Sequence, residues 1–131
     1  KDHAVAEQIR GRLIPGLREE ATNLCGDTSL AQAIDLLSCA DAVVSNDSGL
    51  MHVASALNRP LVAVYGSTSP GFTPPLADRV ETLQLGLDCS PCFDRTCRFG
   101  HYNCLRDLMP AQVNAALDRL VGNPLSDPQD N

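Results

Sequence analysis

Two short apolar runs organise the middle of the chain. Residues 42–45 and residues 61–65 are nearly continuous runs of small or aliphatic side chains, which is typical of strands buried in a parallel sheet. Between them, residues 49–57 are apolar over the length of a helix, and the stretch 58–60 ends that helix at a proline. A strand, a helix and a strand in this order predict a right-handed βαβ unit with parallel strands.

The rest of the hydrophobic pattern continues this alternation in both directions. The predicted elements are, in chain order, a helix ending near Leu13 before Pro15-Gly16, a short strand at 22–25, a helix opened by the capping box Ser29-x-x-Gln32, the central βαβ unit, an ordered loop at 66–78, a strand at 80–85 and a helix ended by Gly122. This order predicts an α/β layered fold with a parallel sheet. We interpret residues 1–121 as one domain and residues 122–131 as a disordered polar tail.

The turn at 46–49, which joins the first of these strands to the helix, is the leading candidate site. The N–H groups of a helix N-terminus have no intrahelical partners and carry partial positive charge, so such a turn suits a phosphate or diphosphate. Gly49 has no side chain where a ligand would approach, and His52 lies one turn later, on the same side as Ser48. The alternative is that Asp47 or Ser48 only caps the helix and that His52 is an interior histidine.

A second polar turn follows the next strand. Ligands of parallel sheets bind beyond the carboxyl ends of the strands, so Gly66 and Ser67 are candidates for the same site. The turn lacks the Gly-Lys-Ser/Thr ending of a P-loop, and the chain contains no G-x-G-x-x-G fingerprint. A hydrophilic connector without a ligand is the alternative interpretation.

Composition and charge narrow the classes of partner. The chain has 131 residues, which is enough for one domain with a modest core. Its formal net charge is −6 and it has no block of basic residues, which argues against nucleic acid as a principal partner. No apolar run approaches the ~20 residues of a membrane span. The chain starts inside a predicted helix without an initiator methionine, which suggests an N-terminally truncated piece of a longer protein.

Several strings of the chain resemble the lipopolysaccharide heptosyltransferases. They are SNDSGLMHVA at 45–54, ALNRP at 56–60, VYG at 64–66, FTPPL at 72–76, and a loop that runs from CSPC at 89–92 through Cys97 and Gly100-His101 to Cys104. The D-S-G-x-x-H string, followed by R-P and by a Y-G turn, is fairly specific to this glycosyltransferase family. The resemblance covers roughly residues 27–121.

The resemblance implies a GT-B fold, in which two Rossmann-like domains enclose a cleft. It implies that residues 1–121 are most of the C-terminal domain, which binds the nucleotide-sugar donor. In that domain Ser48 and Gly49 would give backbone N–H groups to the donor diphosphate. Asp47 would hydrogen-bond the sugar, and His52 would assist at a phosphate.

The resemblance also implies the reaction and its setting. The whole enzyme would transfer heptose from ADP-heptose to the lipopolysaccharide inner core, without a metal or another cofactor, in the cytoplasm or at the cytoplasmic face of the inner membrane. The family's catalytic base is an Asp of the N-terminal domain, which would also hold the acceptor. No residue of this chain is therefore assigned a catalytic role, and the chain alone is expected to be inactive.

The cysteines pose a separate question. Cys89, Cys92, Cys97 and Cys104 fall within one short segment, and the first pair has a spacing that zinc ligands use. The later spacings are irregular for a zinc ribbon, so our prediction is that these cysteines neither bind a metal nor form disulfides. A zinc site and a disulfide are kept as alternatives. The remaining cysteines, Cys25 and Cys39, are predicted to be small core residues.

Two other classes of function stay open for the chain: a nucleotide-sugar binding module without catalysis, and a thiolate metal-binding interaction domain.

Overall fold

The computed structural model describes residues 2–122, which divide between two compact units, residues 2–36 and residues 37–122. Each unit is described by itself. The tail predicted from residue 122 onward lies, except for Gly122, outside the described residues. Whether residues 1–121 act as one donor-binding domain stays a prediction.

The first unit is helical. Helix α1 spans Asp2–Gly11 and helix α2 spans Pro15–Glu20, and neither contains a buried residue. The chain leaves the first helix before Leu13, as predicted. The second helix was not predicted, because Pro15-Gly16 was interpreted only as a stop signal. A proline at the first helical position has its φ angle already set and lacks only an N–H that would have no intrahelical partner.

The strand predicted at 22–25 is absent, so that prediction was wrong. The side chain of Asn23 takes up the local hydrogen bonds instead. Its amide nitrogen lies 2.8 Å from a carboxylate oxygen of Glu7 and 3.2 Å from the carbonyl of His3, and its oxygen accepts from the N–H of Cys25 at 3.0 Å. Such side-chain bonds to the backbone compete with the ladder that a strand requires.

The capping box predicted for helix α3, Leu30–Ser38, is confirmed. The N–H of Ser29 donates to the side-chain oxygen of Gln32 at 2.8 Å, and the N–H of Gln32 donates to the Ser29 hydroxyl at 3.3 Å. Two N–H groups that the helix cannot satisfy internally are therefore bonded by the two side chains.

The second unit contains the sheet and confirms the predicted α/β fold. Its elements are β1 Val43–Asn46, α4 Gly49–Ala56, β2 Leu61–Val64, β3 Val80–Leu83, α5 Asn103–Arg106 and α6 Pro110–Val121. The strands are parallel and lie in the order β1-β2-β3. The short α5 helix was not predicted, because four residues are too few for a recognisable helical period.

The core lies on both faces of β2. Leu61, Ala63 and the following Tyr65 pack with residues of α4, whereas Val62 packs with residues of α6. Successive side chains of a strand point to opposite faces, so a strand covered on both sides is apolar throughout. This is the physical basis of the continuous apolar run in the sequence.

Strand β1 is less buried than predicted. Val44 is 50% exposed, although residues 42–45 were expected to form a buried strand. Within residues 37–122, α4 packs on β1 and β2, whereas α6 packs on β2 and β3, so the helix layer formed by α6 lies mainly over β2 and β3. Within residues 2–122, no helix is both long enough and apolar enough to cross a membrane.

Candidate functional site

The three strands end in register at one edge of the sheet. Asn46 pairs with Val64 and Val64 pairs with Leu83, so the segments that follow the strands leave from the same side. The N–H of Asp47 donates to the carbonyl of Val64 at 3.2 Å, which holds the first turn against the neighbouring strand. Both polar turns singled out in the sequence are therefore at the carboxyl edge, where parallel sheets bind ligands.

Helix α4 starts directly at this edge. Ser48 is its N-cap, with extended backbone and a hydroxyl that accepts from the N–H of Met51. The carbonyl of Ser48 accepts from the N–H of His52 at 3.4 Å. Among the first N–H groups of the helix, those of Gly49 and Leu50 make no hydrogen bond within residues 2–122.

Asp47 is the most sheltered ionisable group of the turn. Its side chain is 14% exposed, and one of its carboxylate oxygens accepts from the hydroxyl of Thr73 at 3.0 Å. Its other oxygen, Oδ1, lies 4.0 Å from Nε2 of His52, whose side chain is 47% exposed. The carboxylate and the imidazole thus face each other across a gap that is open to solvent on the His52 side.

Gly49 faces open space. A Cβ built on this residue meets no atom within 4 Å, apart from its own helix backbone and chain neighbours. The protein itself therefore does not require a glycine at the first position of α4. The missing side chain leaves room directly beside the N–H groups of the helix.

The second turn, at Gly66 and Ser67, is hydrogen-bonded to another loop of the protein. The carbonyl of Ser67 accepts from the N–H groups of Cys92 and Phe93 at 3.0 and 2.7 Å, and the carbonyl of Gly66 accepts from the hydroxyl of Ser90. A Cβ on Gly66 would lie 2.7 Å from Cγ of Leu105. These contacts connect the second turn to the cysteine-bearing loop, and a role of Gly66 and Ser67 in ligand binding stays a prediction.

The four clustered cysteines line one cavity of about 110 Å³, together with His101 and Ser67. No group of three or more Cys, His, Asp or Glu side chains within residues 2–122 is placed to hold a metal ion. None of the cysteines of the described part is joined in a disulfide. Whether this loop holds a metal ion is not decided by the geometry, and the zinc site stays an alternative.

The thiols differ from one another chemically. Backbone N–H groups, foremost that of Tyr102, lower the pKa of Cys97, whereas burial followed by the neighbouring thiols raises the pKa of Cys104. The prediction that Cys25 and Cys39 are core residues was wrong, because both are exposed. An apolar sequence neighbourhood does not bury a residue that lies outside a helix or strand.

Thr73 and Tyr65 are part of the network around Asp47, and neither was predicted from the sequence to have a role. Thr73 belongs to the loop that follows the adjacent strand, and Tyr65 is the residue directly after that strand. The polar composition of the loop was a signal that it contacts the site. The pairing of Thr73 with Asp47 depends on the path of the loop, which the sequence does not specify.

Comparison with known proteins gives one consistent result. The model of glycosyltransferase family 9 (heptosyltransferase) matches residues 1–103. Lipooligosaccharide heptosyltransferase 2 of Haemophilus influenzae is 54% identical over 85 residues, covering 65% of this chain and 25% of that protein. Lipopolysaccharide heptosyltransferase 2 of Escherichia coli is 40% identical over 121 residues, covering 92% of this chain and 35% of that protein.

A solved structure agrees with these relatives. The structure of E. coli ADP-heptose LPS heptosyltransferase II superposes with a TM-score of 0.78 at 39% identity, covering 92% of this chain and 33% of that one. The matched regions thus span between a quarter and just over a third of the length of these three proteins.

Proposed function

The chain belongs to glycosyltransferase family 9, the heptosyltransferases, and we propose that it supplies the donor-binding part of an enzyme that transfers heptose from ADP-heptose to the inner core of lipopolysaccharide. The relatives that are 40–54% identical over 85–125 residues are named heptosyltransferase 2, which favours the second heptose transfer. A cytoplasmic location and an acceptor bound by a further domain belong to the same proposal.

The start of α4 is the proposed diphosphate site. The N–H groups of Gly49 and Leu50 are free to donate among residues 2–122, and the helix adds partial positive charge at this end. The space beside Gly49 allows a phosphate oxygen to approach the backbone without meeting a side chain. This open glycine, beside two N–H groups that make no hydrogen bond within residues 2–122, is the observation that carries the proposal.

Asp47 and His52 are proposed to hold the heptose and a phosphate. One carboxylate oxygen of Asp47 is bonded to Thr73, which leaves Oδ1 as an acceptor for a sugar hydroxyl. His52 lies across the gap and is exposed enough to reach a phosphate oxygen. Each such bond to a charged group contributes about 1.5–3 kcal/mol to binding.

In the proposed reaction, an acceptor hydroxyl forms a bond to the anomeric carbon of the heptose as the bond from that carbon to the phosphate oxygen breaks. ADP leaves with the bonding electrons, and the acceptor proton passes to a base. Negative charge therefore grows on the diphosphate, where fixed N–H groups stabilise it. The base is proposed to lie outside this chain, and we expect no ADP release by the isolated chain with donor and acceptor.

Replacing Gly49 tests the site in the complete enzyme. Gly49→Val should weaken ADP binding at least about tenfold, because the branched side chain fills the space beside the donor N–H groups. Gly16→Val is the matched control, because Gly16 also lies in the first turn of a helix and a Cβ there meets nothing within 4 Å. Calorimetric titration with ADP compares the two variants.

Two further variants separate the sugar from the nucleotide. Asp47→Ala should weaken binding of ADP-heptose more than binding of ADP, because its proposed partner is the sugar. His52→Ala should weaken both ligands about ten- to a hundredfold, since it removes a bond to a phosphate. If Gly49→Val and both of these variants fold and bind the two ligands like the wild type, the turn is only a helix cap.

A further inference from the structure

Thr73 connects the loop after β2 to the proposed donor site. Its hydroxyl lies 3.0 Å from Oδ2 of Asp47 and 3.3 Å from the carbonyl of Ser69. A hydroxyl has one proton to donate, and the carboxylate is both nearer and charged, so the proton goes to Asp47. The bond joins residues that are far apart in sequence, on two different segments of the sheet edge.

The backbone of Thr73 is itself held on both sides. Its N–H donates to the carbonyl of Ser69 at 3.2 Å, and its carbonyl accepts from the hydroxyl of Tyr65 at 2.6 Å. The side chain of Tyr65 is fully buried in the core beside α4. Thr73 is therefore tied to the rigid centre of the unit rather than to a freely moving loop.

This arrangement determines how Asp47 can bind a ligand. With Oδ2 bonded to Thr73, the carboxylate cannot rotate freely, and Oδ1 is directed to the gap in front of His52. Burial raises the pKa of Tyr65, and the negative charge of Asp47 raises it further, which agrees with Asp47 lying near Tyr65. A fixed acceptor loses less entropy when a sugar hydroxyl binds it.

We propose that Thr73 is a positioning residue for the donor sugar, which acts by orienting the Asp47 carboxylate, and that Tyr65 supports it from the core. The inference rests on the proposed donor site. It adds to that site a specificity element for the heptose, supplied by the loop after β2. Thr73 itself need not touch the donor.

The test compares Thr73→Val with Thr73→Ser in the complete enzyme. Valine keeps the shape of threonine but lacks the hydroxyl, whereas serine keeps the hydroxyl. Thr73→Val should weaken ADP-heptose binding about tenfold and leave ADP binding nearly unchanged, and Thr73→Ser should restore most of the affinity. Thr82→Val is the matched control, because Thr82 is an exposed residue of β3.

A double variant shows whether Thr73 acts through the carboxylate. Asp47→Ala combined with Thr73→Val should bind ADP-heptose no more weakly than Asp47→Ala alone, since the orienting bond no longer has an acceptor. Equal losses for ADP and ADP-heptose, or additive losses in the double variant, would mean that Thr73 only maintains the loop. If Thr73→Val does not fold, Tyr65→Phe makes the same comparison, with a smaller expected loss for ADP-heptose alone.

The outcome also distinguishes this inference from the proposed function. If Asp47→Ala weakens ADP-heptose binding but Thr73→Val does not, the positioning role is wrong and the donor site stands. If Asp47→Ala binds both ligands like the wild type, both proposals are wrong.

Discussion

Gly49 and Gly66 each follow a parallel strand at the same edge of the sheet, yet the structure uses them in opposite ways. A Cβ on Gly49 meets nothing within 4 Å, whereas a Cβ on Gly66 would lie 2.7 Å from Leu105. The first glycine leaves open space beside the helix start, and the second allows the side chain of Leu105 to pack closely against the backbone. A glycine in a strand-to-helix or strand-to-loop turn is therefore a sign of a ligand only when no protein atom fills the space.

The two regions also differ in how they are anchored. Helix α4, which starts at the first turn, has Met51 and Ala54 fully buried in the core. Helix α5, which ends the cysteine-bearing loop, contains no buried residue. That loop is held by bonds to the backbone of Gly66 and Ser67 instead. We thus expect apolar packing to hold the proposed donor turn and hydrogen bonds to hold the loop.

The largest expected effect tests the anchor of α4. Met51→Ala should lower the free energy of unfolding by about 2–5 kcal/mol, because it removes a fully buried side chain and leaves a cavity. Leu50→Ala, the neighbouring change at a residue that is 46% exposed, should cost much less. Urea denaturation of both variants measures the difference. Equal losses would show that burial does not distinguish the two faces of α4.

A smaller effect tests the two glycines against each other. Gly66→Val should lower the free energy of unfolding by about 1 kcal/mol, because the new side chain must displace the half-exposed side chain of Leu105. Gly49→Val should stay within about 0.5 kcal/mol of the wild type, since its side chain points into open space. Thermal unfolding of the two variants checks this. A destabilised Gly49→Val with an unaffected Gly66→Val would reverse the comparison.

The smallest effect concerns the thiols and leaves stability unchanged. Cys97 has a lowered pKa and Cys104 a raised one, so at a given alkaline pH a larger fraction of Cys97 is thiolate. The thiolate is the reactive form, so the alkylation rate of Cys97 should rise at lower pH than that of Cys104. Peptide mass spectrometry after brief iodoacetamide pulses across a pH series measures both rates. Earlier labelling of Cys104 would contradict the prediction.

Local pattern was sufficient for much of the fold. Three features are predictable from residues close together in the chain: the apolar run of β2, the capping box at Ser29 and the helix that ends at Gly122. Each depends on periodicity or on a bond between residues close in sequence. The strand–turn–helix at Asp47 was predictable for the same reason. The absent strand at 22–25 shows the limit, because a strand exists only where another strand pairs with it.

Residues close together in the chain were enough to predict the elements around the turn and to single out Asp47, Ser48 and His52. Which loop faces that turn depends on the tertiary fold. Thr73 reaches Asp47 because β1 and β2 end in register, so that residues far apart in the chain meet at one edge. The different roles of Gly49 and Gly66 were decided in the same way, since the space around a glycine depends on distant segments that no local pattern records.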